Sequence, residues 1–141
     1  MKRFIRLVCL LVVFATLAAV PAYAQEENAR SSAYISSYRA YCVQVSSTSV
    51  SVVFHILGTG TMDEIGTKLI KLQYSSDQVN WTTAQTFTKA DYPIMTAMED
   101  FSHAAEVIGT VPAGKYYRAY VEFYSAKDNG FGERYYYTEI I

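Results

Sequence analysis

Few side chains in this sequence are equipped for chemistry. Two histidines, His55 and His103, the cysteine Cys42, and the carboxylates Asp63, Glu64, Asp77, Glu99, Asp100 and Asp128 are the candidates for proton transfer, nucleophilic attack or metal binding. The stretch EDFSH (Glu99 to His103) holds an aspartate, a serine and a histidine, the residue types of a hydrolytic triad. On one extended strand, however, successive side chains point to opposite faces, so three residues this close cannot converge on a substrate. No Gly-x-Ser-x-Gly nucleophile turn occurs either. A small hydrolase working through His103 is the weakest reading, and no catalytic residue is assigned. Cys42 with two distant histidines makes no zinc pattern. DNGFGE (Asp128 to Glu133) has oxygen ligands beside glycines but lacks the spacing and length of a calcium loop. GTGTMDEIG (Gly58 to Gly66) lacks the lysine and following helix of a phosphate loop. Neither a metal nor a cofactor is expected.

The other chemistry on offer is that of aromatic rings. Seven tyrosines crowd the last part of the chain, from Pro112 to Ile140. Strand alternation sorts them. Tyr117, Ala119, Val121 and Phe123 form an inward set, and Tyr116, Arg118, Tyr120, Glu122 and Tyr124 share the other face, which Arg118 and Glu122 mark as the wet one. On the final strand Tyr136, Thr138 and Ile140 are expected inward, with Glu133, Tyr135, Tyr137 and Glu139 outward. A one-residue bulge would reverse that assignment. The result is an exposed aromatic patch across two paired strands. Tyr120 and Tyr124 are its candidate ligand-binding residues, Arg118 and Glu122 its polar partners, and Trp81 a second anchor. Two explanations fit the row. Aromatic residues favour strands and stabilise them by roughly 0.2–1 kcal/mol per cross-strand pair, so the row can be cladding. Exposed patches of this size also mark contact surfaces. Trp81 has its own bland explanation, as a core or hairpin tryptophan.

The elements that would position these residues read as strands throughout. Short β-rich runs recur between turn signals, and no long apolar stripe of helical period is present. The runs are Tyr34 to Val45, Thr48 to Leu57 with Val50, Val52, Phe54 and Ile56 on one face, Thr67 to Ser75, Trp81 to Thr88, and Phe101 to Val111, then two runs around AKDNGFG. The glycines of GTGTMDEIG predict a loop with Met62 and Ile65 tucked over the core. KADYPIMTAMED (Lys89 to Asp100) predicts a loop with one helical turn after Pro93. Asp-Asn-Gly predicts a tight hairpin. The fold class is all-β: a single antiparallel β-sandwich of about seven strands over residues 34–141.

The ends fix where such a domain would work. Lys2, Arg3 and Arg6 precede the apolar run Leu7 to Val20, and Ala22 to Ala24 follow with a small-x-small pattern. Residues 1–24 therefore read as a secretory signal peptide cleaved after Ala24, and residues 25–33 as a flexible lead. Cleavage leaves 117 of the 141 residues, with nine Lys and Arg against thirteen Asp and Glu, a net charge of −4. That balance argues against a nucleic-acid partner. No membrane attachment is expected after cleavage, and the product is expected outside the cell. Cys42 alone survives processing, so an intramolecular disulfide is impossible; the thiol is expected buried, with pairing between chains left open.

VPAGKYYRAYV (Val111 to Val121) resembles the tyrosine corner of fibronectin type III and other immunoglobulin-like domains. The resemblance implies structural roles for Val111, Gly114 and Tyr117, with the Tyr117 hydroxyl bonding to backbone a few residues upstream. LQYSSDQVNWT (Leu72 to Thr82) is similar to a hairpin of bacterial sandwich modules. The tryptophan usual on the second strand of fibronectin type III is absent, with Phe54 near its place. GTGTMDEIG, SSDQVNW, SHAAEV and AGKYYRAYVEFYSAKDNG together resemble small secreted proteins of Gram-positive, clostridia-like bacteria whose function is unassigned; that likeness implies export and fold, and no catalytic residue. The leading expectation is a secreted, non-enzymatic sandwich binding an extracellular glycan or protein through the aromatic face. A structural or homo-associating protein is the alternative.

Overall fold

Residues 33–141 are described by the computed structural model. The expected signal peptide and nearly all of the lead lie outside them. Six strands follow in order: β1 Ile35–Ser46, β2 Ser49–Ser75, β3 Thr82–Thr88, β4 Thr96–Thr110, β5 Tyr116–Lys127 and β6 Gly130–Tyr137, with one 3₁₀ turn, Pro93–Met95, before β4. Every pairing is antiparallel. The all-β class expected from the sequence is what the chain adopts.

The strand β2 organises everything else. Its first half, through Leu57, pairs β1 on one side and the end of β4 on the other. Its second half, from Glu64, pairs β5 on one side and β3 with the start of β4 on the other. β6 then adds to β5. Residues Gly58 to Gly66, expected as a loop, are instead strand, with a break in the β4 register between Leu57 and Met62. The glycines mark a corner where one strand passes from the first ladder to the second. Gly66 fits a close approach there: a Cβ built on it would lie 2.1 Å from the Met95 carbonyl oxygen. One 27-residue strand thus does the work of two of the seven expected. Met62 and Ile65 are buried as anticipated.

Alternation supplies the core. Val50, Val52, Phe54 and Ile56 from the first ladder and Ile70, Leu72, Ala119, Val121 and Phe123 from the second are buried in one cluster. The strand β1 pairs with neither β5 nor β6, yet the Tyr38 ring lies 5.2 Å from that of Phe123 and 6.2 Å from that of Tyr136. Side chains of β1 therefore meet those of β5 and β6 across the core, and the fully buried Phe123 contributes about 1.5–3 kcal/mol. Cys42 belongs to this layer; burial pushes its thiol up despite a 3.4 Å contact with the Thr138 hydroxyl.

Two further departures have local causes. β4 begins at Thr96, so the last five of the twelve residues expected as irregular are strand, anchored by buried Met95 and the corner at Gly66. Ile140, expected inward, is exposed. Thr138 bonds to Ala119 and Ile141 to Tyr117, so three residues of the tail span two of β5, and the extra residue turns Ile140 out.

A cation-threaded aromatic face as the candidate binding site

The outer face of the second ladder is set by two turns. The first follows Val111. Buried Tyr117 donates its hydroxyl to the Pro112 carbonyl at 2.6 Å, and Gly114 takes the left-handed φ of +69° that closes the corner. With Tyr117 held inward, alternation sends Tyr116, Arg118, Tyr120, Glu122 and Tyr124 outward, as expected. The second turn is SSDQVN. Asp77 accepts from the backbone N–H of Val79 and Asn80 at 2.9 and 2.8 Å, from the Ser75 hydroxyl at 2.9 Å and from the Asn80 side chain at 2.7 Å. Those bonds hold its carboxyl well below the usual range. The turn delivers Trp81, whose indole N–H donates to the Gln78 carbonyl at 3.2 Å.

Between these turns the rings and charges interleave. The Arg118 guanidinium carbon lies 4.1 Å from the Trp81 ring centroid and 4.5 Å from that of Tyr137, so the cation is clasped between two aromatic rings. Its Nε donates to Gln73 Oε1 at 2.9 Å. Tyr137 contacts Tyr120 at 5.0 Å, and Tyr120 stacks parallel to Tyr135 at 6.2 Å. The Tyr120 hydroxyl donates to Glu122 at 3.1 Å; burial, then this bond, pushes its ionisation up, so it stays a neutral donor. Lys68 donates to Glu133 and lies 3.6 Å from Glu122. Its charge and the Tyr135 hydroxyl, which donates to Glu133 at 2.9 Å, hold that carboxyl below its ordinary value against the opposing effect of burial. Beyond this cluster Tyr124 stacks on Phe131 at 6.2 Å and carries Lys89 above its ring at 4.6 Å, while Lys89 pairs with Glu64 at 2.9 Å.

The sequence-predicted residues are thus brought onto one face, but with altered roles. Tyr120 and Tyr124 are half-buried; the well-exposed rings are Tyr116, Tyr135, Tyr137 and Phe131. Arg118 and Glu122 are engaged within the face rather than standing beside it. Trp81 is neither in the core nor isolated at an edge; it caps Arg118. Lys68 is the residue that alternation hid. A bulge between Thr67 and Leu69 breaks the period of two in TKLIKL, so Lys68, Leu69 and Lys71 all reach the outer side. Nothing in the local sequence signals that bulge.

The nucleophile candidates do not assemble. Asp100 Oδ1 accepts from the backbone of Phe101 and Ser102, and His103 Nε2 bonds the Ile94 carbonyl at 2.7 Å. Among the described residues no group of three or more His, Cys, Asp or Glu is placed to hold a metal. A cleft of about 300 Å³ is lined by Arg39, Tyr41 and Cys42 of β1 together with Tyr136, Glu139 and Ile141. Comparison with protein-family models, with curated proteins and with solved structures finds no match to this chain.

Proposed function

We propose that this chain is an exported, non-enzymatic β-sandwich of immunoglobulin-like type whose aromatic face binds carbohydrate outside the cell. The observation that carries the reading is the row Trp81, Tyr137, Tyr120 and Tyr135, the tyrosines on the paired strands β5 and β6 and Trp81 just before β3, with Tyr135 and Tyr137 about half exposed. Pyranose rings stack on such surfaces, and the neighbouring Gln73, Glu122 and Lys71 offer hydroxyls their hydrogen-bond partners. Tyrosine gives this contact area at low cost in conformational entropy. The corner at Tyr117 and Pro112 supports the immunoglobulin-like assignment. Secretion rests on the pattern of residues 1–24.

The test is a glycan array probed with the purified protein and with Tyr135→Ala/Tyr137→Ala, folding being followed by far-ultraviolet circular dichroism. Binding that the double variant loses while keeping its fold is the expected result. A folded protein that binds no glycan, or a variant that binds unchanged, rejects the reading and leaves the rings as sheet cladding.

Self-association is the second reading, favoured by a different surface. Tyr41, Val43 and Val45 of β1 and Ile108 of β4 are all exposed on the outer side of the first ladder, on strands whose far edges are unpaired there. Sedimentation over a hundredfold range of concentration would show a rising mass if this face joins copies of the chain.

A further inference from the structure

The charges on the aromatic face are not evenly matched, and the imbalance points to the class of sugar. At the Phe131 end Lys89 pairs with Glu64. In the middle Lys68 is shared by Glu122 and Glu133. At the Trp81 end the pattern changes. Among the described residues neither Arg118 nor Lys71 has a carboxylate within ion-pair distance. Arg118 faces two rings and the Gln73 amide, and Lys71 lies 6.0 Å above the Tyr120 ring. Lys115 beside them reaches the Ser76 hydroxyl at 2.8 Å. Asp77, the acid of the adjoining turn, has both oxygens occupied by turn donors.

A guanidinium clasped by two rings and tied at Nε is already oriented and partly dehydrated. Only Nε is used by Gln73, so the two terminal nitrogens remain, and these form the fork that grips a carboxylate or sulfate with two parallel bonds. We propose that the Trp81–Arg118–Tyr137 clasp, with Lys71, is a subsite for the anionic group of an acidic polysaccharide, a uronate carboxylate or a sulfate ester. Sugar rings of the same chain lie on Tyr120 and Tyr135, where one lysine shared by two glutamates leaves a net charge of −1 and so draws no anion, which confines the anionic group to the Trp81 end. This rests on the carbohydrate reading above and narrows it. Arg118 sets both charge and plane, so lysine in its place supplies only the charge.

The experiment measures binding of the purified protein to polygalacturonate and to chondroitin sulfate, each beside its neutralised form, methyl-esterified or desulfated, by isothermal titration calorimetry. The neutral glycans of the array serve as the reference for ring stacking. At least one acidic polymer is expected to bind about tenfold or more tightly than its neutralised form, the worth of one charge-assisted fork, and to weaken with added salt. Arg118→Gln is expected to remove that preference, and Arg118→Lys and Lys71→Gln to reduce it, read as the ratio of acidic to neutralised affinity with the folded spectrum kept. Equal affinity for charged and neutralised polymers overturns the anionic subsite and leaves ring stacking standing. Neutral glycans bound with both acidic polymers refused does the same. An acidic preference that survives in Arg118→Gln overturns the assignment to the clasp. No binding to any polymer, acidic or neutral, overturns both readings.

Discussion

Replacing Tyr117 by phenylalanine tests the device that aims the whole aromatic face. The substitution removes one oxygen and keeps the buried ring. What is lost is the 2.6 Å bond to the Pro112 carbonyl, along with a weak 3.4 Å bond from the Lys115 N–H. Tyr117 is 2% exposed, but Pro112 itself is at the surface, so water can reach part of the abandoned carbonyl. The cost should lie between a typical net hydrogen bond and a fully orphaned acceptor, about 1–2 kcal/mol. For a domain of this size that is a fall in Tm of about 5–10 °C. In urea, at a slope near 1.5 kcal/mol/M, the midpoint should fall by about 1 M with the slope unchanged. Tyr116→Phe, one residue away and outward, is the control and should move stability by no more than about 0.5 kcal/mol. Gly114→Ala places a side chain at φ +69° and should cost about 1 kcal/mol by itself. If hydroxyl and glycine hold one turn, the double variant loses less than the sum of the two. A Tyr117→Phe protein as stable as the parent would refute the argument that this bond fixes the register of β5.

Other expectations follow from the same geometry. Gly66→Ala meets backbone, the Met95 oxygen at 2.1 Å and the Thr96 Cα at 2.7 Å, and should destabilise by at least about 2 kcal/mol, read as a lower urea midpoint. The Glu133 carboxyl is depressed in the folded state, so its contribution is present above the unfolded carboxylate value, near 4.3, and is lost as pH falls through the lower folded value. Lys68 is raised, chiefly by its bond to Glu133, so its share is present below about 10.4 and is lost as pH rises through the higher folded value. Stability of Glu133→Gln measured against pH should lack both slopes, by up to about 1 kcal/mol for a partly exposed pair. Cys42, buried with a raised thiol, should react with a thiol-specific disulfide reagent at the rate of unfolding and become immediate in denaturant. Fast reaction in the native state would place the thiol at the surface instead.

Much of this architecture was legible because a strand has a period of two. Alternation alone put Tyr117, Val121 and Phe123 inside and Tyr116, Arg118, Tyr120 and Tyr124 outside, and VPAGKYY announced the corner that holds that register. Asp-Gln-Val-Asn-Trp announced a turn, and the turn is there because one carboxylate satisfies four donors, none more than three residues away. Such signals are local, and local bonds are set by the residues beside them.

The rest depended on partners distant in sequence. Gly58 to Gly66 is strand because β4 and β5 supply ladders on either side of its second part, something glycine content cannot reveal. Lys68 joins the outer face through a bulge opposite β5, and Ile140 leaves the inner one through another. The clasp on Arg118 unites residues from two hairpins and a central strand, with Trp81 on one side and Tyr137 on the other. By itself the sequence determined the class of fold and the sorting of the tyrosines, since both follow from alternation along a strand. Only the tertiary structure decided which charges are neutralised across strands and which are left for a ligand, because that depends on distances between elements far apart in the chain.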